Sequence, residues 1–134
     1  MMRTKVGPTL VLAGALALLA LGSPALISPA LAKDGDVLVR GSCSARSAVK
    51  LKLSDEDGRI EAEVEVDQNR NGVPWTVVLT RDGARVGRLT RVTKAPSGSF
   101  TARKLLANPA GADVVRAVAT RRGESCAARA TWTA

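Results

Sequence analysis

Three sets of residues in this 134-residue chain have types and spacings that invite chemistry. The first is its only pair of cysteines, Cys43 and Cys126. A free thiolate can act as a nucleophile or a soft metal ligand, whereas two cysteines bridged to each other can do neither. The chain contains no histidine. Serine–histidine and cysteine–histidine catalysis are therefore excluded, and with them histidine-ligated zinc. In an exported chain an even pair of cysteines is expected to bridge, with an intermolecular bond as the alternative.

The second set is Asp67-Gln68-Asn69-Arg70-Asn71-Gly72, the first half of a D-x-[DN]-x-[DN]-G calcium loop. Oxygen ligands from Asp67, Asn69 and Asn71, with a glycine for the sharp turn, suit a hard cation. The twelfth position, however, is Val78 where the motif demands a bidentate Glu, and Arg70 sits among the ligands. The favoured reading is an Asx-rich connection ending in an Asn-Gly turn. Calcium is the weak candidate, to be tested by a melting shift in calcium over EDTA. No cofactor is expected.

The third set is a segregation of charge. Residues 55–67 carry Asp55, Glu56, Asp57, Glu61, Glu63, Glu65 and Asp67 against Arg59. Residues 81–104 carry Arg81, Arg85, Arg88, Arg91, Lys94, Arg103 and Lys104 against Asp82. Charge runs usually mark solvated faces. The functional alternative for 81–104 is a basic edge that contacts an anionic partner. The acids alternate with apolar residues at exposed spacing, which reads as solvation and not as a catalytic carboxylate pair. Trp75 and Trp132 fall in phase with apolar neighbours and are assigned to the core, not to a sugar platform.

These residues must be positioned by short alternating segments, the signature of an all-β chain. The segments are 36–44, 46–53, 59–67, 74–81, 85–93, 99–106, 113–121 and 124–133. Turn residues separate them: Asp57-Gly58, Asn71-Gly72, Asp82-Gly83, Pro96-Ser97-Gly98, Asn108-Pro109-Ala110-Gly111 and Arg122-Gly123. Val49, Leu51 and Leu53 alternate with Lys50 and Lys52; Ile60, Ala62, Val64 and Val66 alternate with glutamates. Joined by a loop over 54–58, they are expected to pair with Lys52 opposite Glu61 and Lys50 opposite Glu63. Leu51 then meets Ala62 and Val49 meets Val64 on the other face, and a slip of one residue would bury the glutamates. Gly87 interrupts the fifth segment, marking a bulge or an edge strand. The expected fold is an antiparallel immunoglobulin-like β-sandwich of seven to eight strands, its first and last strands joined by Cys43–Cys126.

Arg3 and Lys5 precede a twelve-residue apolar run, 10–21, and Ala30-Leu31-Ala32 forms a small-x-small cleavage signal. Residues 1–32 are read as a cleaved secretory signal peptide and 33–134 as a single domain, with a secreted, extracellular address. Cleavage removes two of the 20 basic residues, leaving 18 against 12 acids, a net charge of +6. The remainder holds 13 Val, 7 Leu, 1 Ile, 1 Phe and 2 Trp, a thin core for one domain, which makes a long-range disulfide valuable.

Several strings also resemble a group of small secreted actinobacterial proteins of unknown function. They are Gly41-Ser42-Cys43-Ser44, Lys50-Leu51-Lys52, the run 60–72 before Trp75, Ser97-Gly98-Ser99-Phe100, Gly111-Ala112-Asp113 and Gly123-Glu124-Ser125-Cys126. The resemblance implies an immunoglobulin-like or fibronectin-like sandwich and no catalytic residue. The expected function is a non-enzymatic extracellular or envelope interaction module using the basic edge. It would be a monomer without a membrane span, with an anionic envelope polymer or another protein as partner. Nucleic acid is not expected, because stacking platforms are missing. The alternative is a small-molecule carrier or a protease-inhibitor-like protein using a cleft or the loop 107–112.

Overall fold

Alternation at period two becomes nine strands in the computed structural model, which describes residues 35–133. The signal-peptide reading of 1–32 lies outside these residues. The strands are β1 (Val37–Arg40), β2 (Ser42–Cys43), β3 (Ala48–Glu56), β4 (Arg59–Asp67), β5 (Pro74–Arg81), β6 (Ala84–Val92), β7 (Ser99–Leu106), β8 (Ala112–Arg121) and β9 (Glu124–Thr133). They form two antiparallel sheets, ordered β1-β3-β4-β7 and β2-β9-β8-β5-β6. No helix among the described residues is long and apolar enough to cross a membrane.

The inner faces of both sheets supply one core, with Leu51, Leu53, Ile60, Val64, Trp75, Leu79 and Val115 fully buried. Trp75 is 1% and Trp132 8% exposed, so both tryptophans are core residues. The order β9-β8-β5-β6 is that of strands G-F-C-C′ in a variable-type immunoglobulin sheet. The other sheet is connected differently. Here β4 follows β3 by a hairpin within the sheet, where an immunoglobulin chain crosses over after strand B.

Two expectations are corrected. The β3–β4 hairpin has the anticipated faces, but its register is moved by two residues: Lys52 pairs with Glu63, Lys50 with Glu65, Leu51 with Val64 and Val49 with Val66. The cause is the turn. Asp57 and Gly58 both take positive φ, 51° and 77°, as a two-residue type I′ turn requires, so pairing runs to Glu56–Arg59 instead of stopping at Leu53. A shift of two leaves every side chain on its own face.

The second correction concerns the first segment, which is two strands. Gly41 donates its N–H to Val49, ending the β1–β3 ladder, and the chain then switches sheets to pair with β9. A Cβ at Gly41 would lie 2.0 Å from the Ala127 carbonyl oxygen, so only glycine lets the chain pass this close to β9. Cys43, on β2, faces Cys126 directly in register, and the disulfide joins the second strand to the last. Gly41→Ala is expected to cost about 1–3 kcal/mol through this backbone collision, read as a lower melting temperature.

The fifth segment is both an edge strand and bulged. Leu79 pairs with Gly87 and Thr80 with Arg85, which leaves Val86 as the extra residue. This bulge decides where the arginines of β6 point.

Candidate anion-binding surface

The two sheets present opposite kinds of outer face. On the four-stranded sheet, Lys50 lies 3.6 Å from Glu65, and Lys52 lies 3.8 Å from Glu63. On the far side of β4, Arg103 donates to Glu63 at 2.8 Å and approaches Glu61 at 3.8 Å. The hydrogen bond from Arg103 to Glu63, with the attraction of both glutamates, raises the arginine's pKa further. Three cations thus answer the three glutamates of β4.

The five-stranded sheet carries its charges without that balance. Before the bulge, Arg85 stands opposite Thr80; after it, Arg88 stands opposite Val78. Thr80 pairs on its other side with Arg116 of β8, and Arg116 pairs with Arg129 of β9. A row Arg85–Thr80–Arg116–Arg129 therefore runs across four strands, with Arg88 one row away. All four arginines are exposed, and none has an ion-pair partner among the described residues. Around them the strands show Thr76, Thr90, Thr120, Ser125, Val78 and Val118. The carboxylate bordering the row is Asp82, in the β5–β6 turn. It accepts a bond from the Val114 amide at 2.8 Å. Thr80, Asp82, Val114, Arg116 and Arg129 surround a shallow depression of about 430 Å³ at this end.

Of the seven basic residues read as one edge in 81–104, the structure keeps five together and removes two. Arg81 turns to the end of the sandwich, where it donates to the Ala107 carbonyl at 2.7 Å and lies 3.9 Å from buried Asp113. Arg103 belongs to the glutamate ladder. Arg85, Arg88, Arg91, Lys94 and Lys104 remain along the flank where edge strands β6 and β7 of the two sheets meet. The stem of Lys104 crosses Gly87 so closely that a Cβ there would lie 2.8 Å from its Cδ. Arg91, Lys94, Phe100 and Thr101 line a groove of about 370 Å³ on the same flank.

Sequence reading missed Arg116 and Arg129. Each is a lone basic residue between alanines and valines, but each is out of phase with the inward set, which was the available signal. It also missed Glu124, which is in phase with Cys126 and Ala128 and therefore points inward.

Glu124 organises the opposite end of the five-stranded sheet. Its side chain, 1% exposed, accepts from the Ser47 amide at 3.0 Å, the Ser47 hydroxyl at 2.6 Å and Arg121 at 3.2 Å. Burial alone would push its pKa up; the bonds from Ser47 and Arg121 outweigh this and hold it below the usual carboxylate range. The Arg121 guanidinium lies 5.7 Å from the centroid of Trp75, whose indole N–H donates to Gln68 at 3.0 Å. Loops 44–48 and 67–70 and the β8–β9 turn surround an open cleft of about 770 Å³, lined by Arg46, Asp67, Asn69, Arg70, Arg121 and Glu124.

The calcium candidates meet this cleft only in part. Asp67 Oδ1 accepts from the Asn69 amide at 3.1 Å, forming an Asx turn, with Asn69 at φ 58°. Asn71 stands in the exposed turn beyond. Cys43, Glu124 and Cys126 are close enough to suggest a metal group, but the two sulfurs are bonded to each other.

The chemistry this surface offers is charge and hydrogen-bond donation from exposed arginines, and the disulfide is bonded within the chain. No protein-family model, curated protein or solved structure matches the chain.

Proposed function

We propose that this is a secreted, non-enzymatic β-sandwich that works as an extracellular or envelope interaction module for an anionic partner. The observation that carries the reading is the unanswered positive charge of Arg85, Arg88, Arg91, Lys94 and Lys104 on one flank, beside a glutamate ladder that is fully answered. Attraction of this kind is screened over about 8–10 Å at physiological salt, so binding should fall steeply as salt rises. The protein should be retained on an immobilised anionic polymer at low salt and released by moderate salt. Reversal of Arg85, Arg88 and Arg91 to Glu should abolish retention. No retention at low salt, or retention that survives the reversal, contradicts the reading.

A second reading, a small-molecule carrier, is favoured only by the 770 Å³ cleft beside Arg46 and Arg70. A co-purifying ligand whose removal lowers the melting temperature would support it. The export signal in the sequence and the intrachain disulfide support an oxidising, extracellular address.

A further inference from the structure

We infer that the partner is a linear, hydroxylated polyanion, a glycan-like chain bearing carboxylates, and that it lies across the strands of the five-stranded sheet along Arg85–Thr80–Arg116–Arg129. The inference rests on the anionic-partner reading and moves its centre from the β6–β7 flank to the sheet's outer face.

Spacing is the first argument. Neighbouring strands lie about 4.8 Å apart, so Arg116 and Arg129 leave the sheet at roughly that interval, and Arg85 stands two strands, or about 10 Å, from Arg116. The row is therefore a straight ladder of donors perpendicular to the strands. A polymer whose anionic groups recur every 5–10 Å can meet several rungs without bending.

Chemistry is the second argument. Guanidinium offers a planar fork that matches a carboxylate or phosphate oxygen pair, and a row of arginines selects for oxyanions more sharply than lysines do. Thr80 lies within the row, the next outward row is Arg88–Val78–Val118–Ala127, and beyond it Thr90, Thr76, Thr120 and Ser125 form a row of hydroxyls four residues along β5, β8 and β9. Hydroxyls can give and accept bonds to a polyhydroxylated chain. No aromatic side chain of this chain lies on the face: Trp75, Phe100 and Trp132 are all buried. Bases would have nothing to stack on, which disfavours single-stranded nucleic acid.

The opposite sheet supplies the third argument. Its Glu61, Glu63 and Glu65 are held by Lys50, Lys52 and Arg103, so the outer face of that sheet in a second copy of this chain is charge-balanced and offers the arginines no free glutamate row.

The test uses the disulfide-bonded protein and polygalacturonate oligomers, with inorganic polyphosphate and duplex DNA as comparison probes. Affinity is measured by titration calorimetry at several salt concentrations. Arg116→Gln/Arg129→Gln is expected to weaken polygalacturonate binding at least tenfold and to reduce the slope of log affinity against log salt by about one per contact removed. Arg91→Ala/Lys94→Ala/Lys104→Ala removes more charge but is expected to change affinity less than threefold. Thermal melts of both variants establish that they are folded, and Arg116→Lys/Arg129→Lys, which keeps charge but loses the fork, should fall between them. Loss of binding in the flank triple but not in the arginine pair overturns the cross-strand track while leaving the anionic-partner reading standing. Failure of the unmodified protein to bind any of the three probes at low salt overturns both. DNA or polyphosphate bound as tightly as polygalacturonate at matched charge overturns the glycan assignment.

Discussion

Removing the Cys43–Cys126 bond by a Cys43→Ala/Cys126→Ala exchange is expected to lower the melting temperature by roughly 20–35 °C. The bond closes a chain separation of 83 residues, for which loop-closure entropy in the unfolded state gives about 4–5 kcal/mol. In a domain of this size each kcal/mol is worth about 4–8 °C. The native side of the argument is equally local. β2 is only two residues long, and Cys43 and Cys126 face each other in its ladder with β9. Without the bond, β2 is a short edge strand held chiefly by Ser44, whose amide donates to Ser125 at 2.9 Å and whose hydroxyl accepts from the Ser125 amide at 3.0 Å. Comparison of thermal melts of the exchanged and bridged proteins tests this. Melting within a few degrees would mean that the core, not the bond, carries the fold.

Glu124 sets the second large effect. Glu124→Ala removes the acceptor for two Ser47 donors and for Arg121, leaving a half-buried guanidinium without its carboxylate, and is expected to cost roughly 3–5 kcal/mol. Glu124→Gln keeps the shape and one acceptor and should cost less. The pH dependence follows from the sign of the shift. The folded protein holds Glu124 below its ordinary value, so its stabilising contribution is complete above the ordinary carboxylate range. That contribution is lost as pH falls through the depressed folded value. The stability gap between the unmodified protein and Glu124→Gln, from denaturant melts, should therefore be widest near neutrality and shrink toward acid. A gap that is flat with pH would show that Glu124 acts by shape and not by charge.

Where the fold was legible in the sequence, the reason is local. The alternation in 48–53 and 59–67, the Asp-Gly turns and the break at Gly87 each state a face, a reversal or a bulge within a few residues. The two-residue register error arose because Ser54, Asp55 and Glu56 look like loop, yet the Asp57–Gly58 turn continues pairing through them. The switch at Gly41 could not be read locally, since its cause is the approach of Ala127, 86 positions away.

The candidate surface was half legible for the same kind of reason. Arg85 and Arg88 stand in a visible run of positive charge. Arg116 and Arg129 join them only through the strand order β6-β5-β8-β9, which no single segment announces. Arg81 and Arg103 look equivalent to their neighbours in sequence and are withdrawn by Ala107, Asp113, Glu61 and Glu63.

The most direct test of an anionic partner on the five-stranded sheet is a chemical-shift map of the disulfide-bonded protein titrated with polygalacturonate oligomers at low salt. The account predicts shifts concentrated at Arg85, Arg88, Arg116 and Arg129 and at Thr80 between them, reversing as salt is added. Shifts confined to the cleft around Arg46, Arg70 and Arg121, with the sheet face silent, would contradict it.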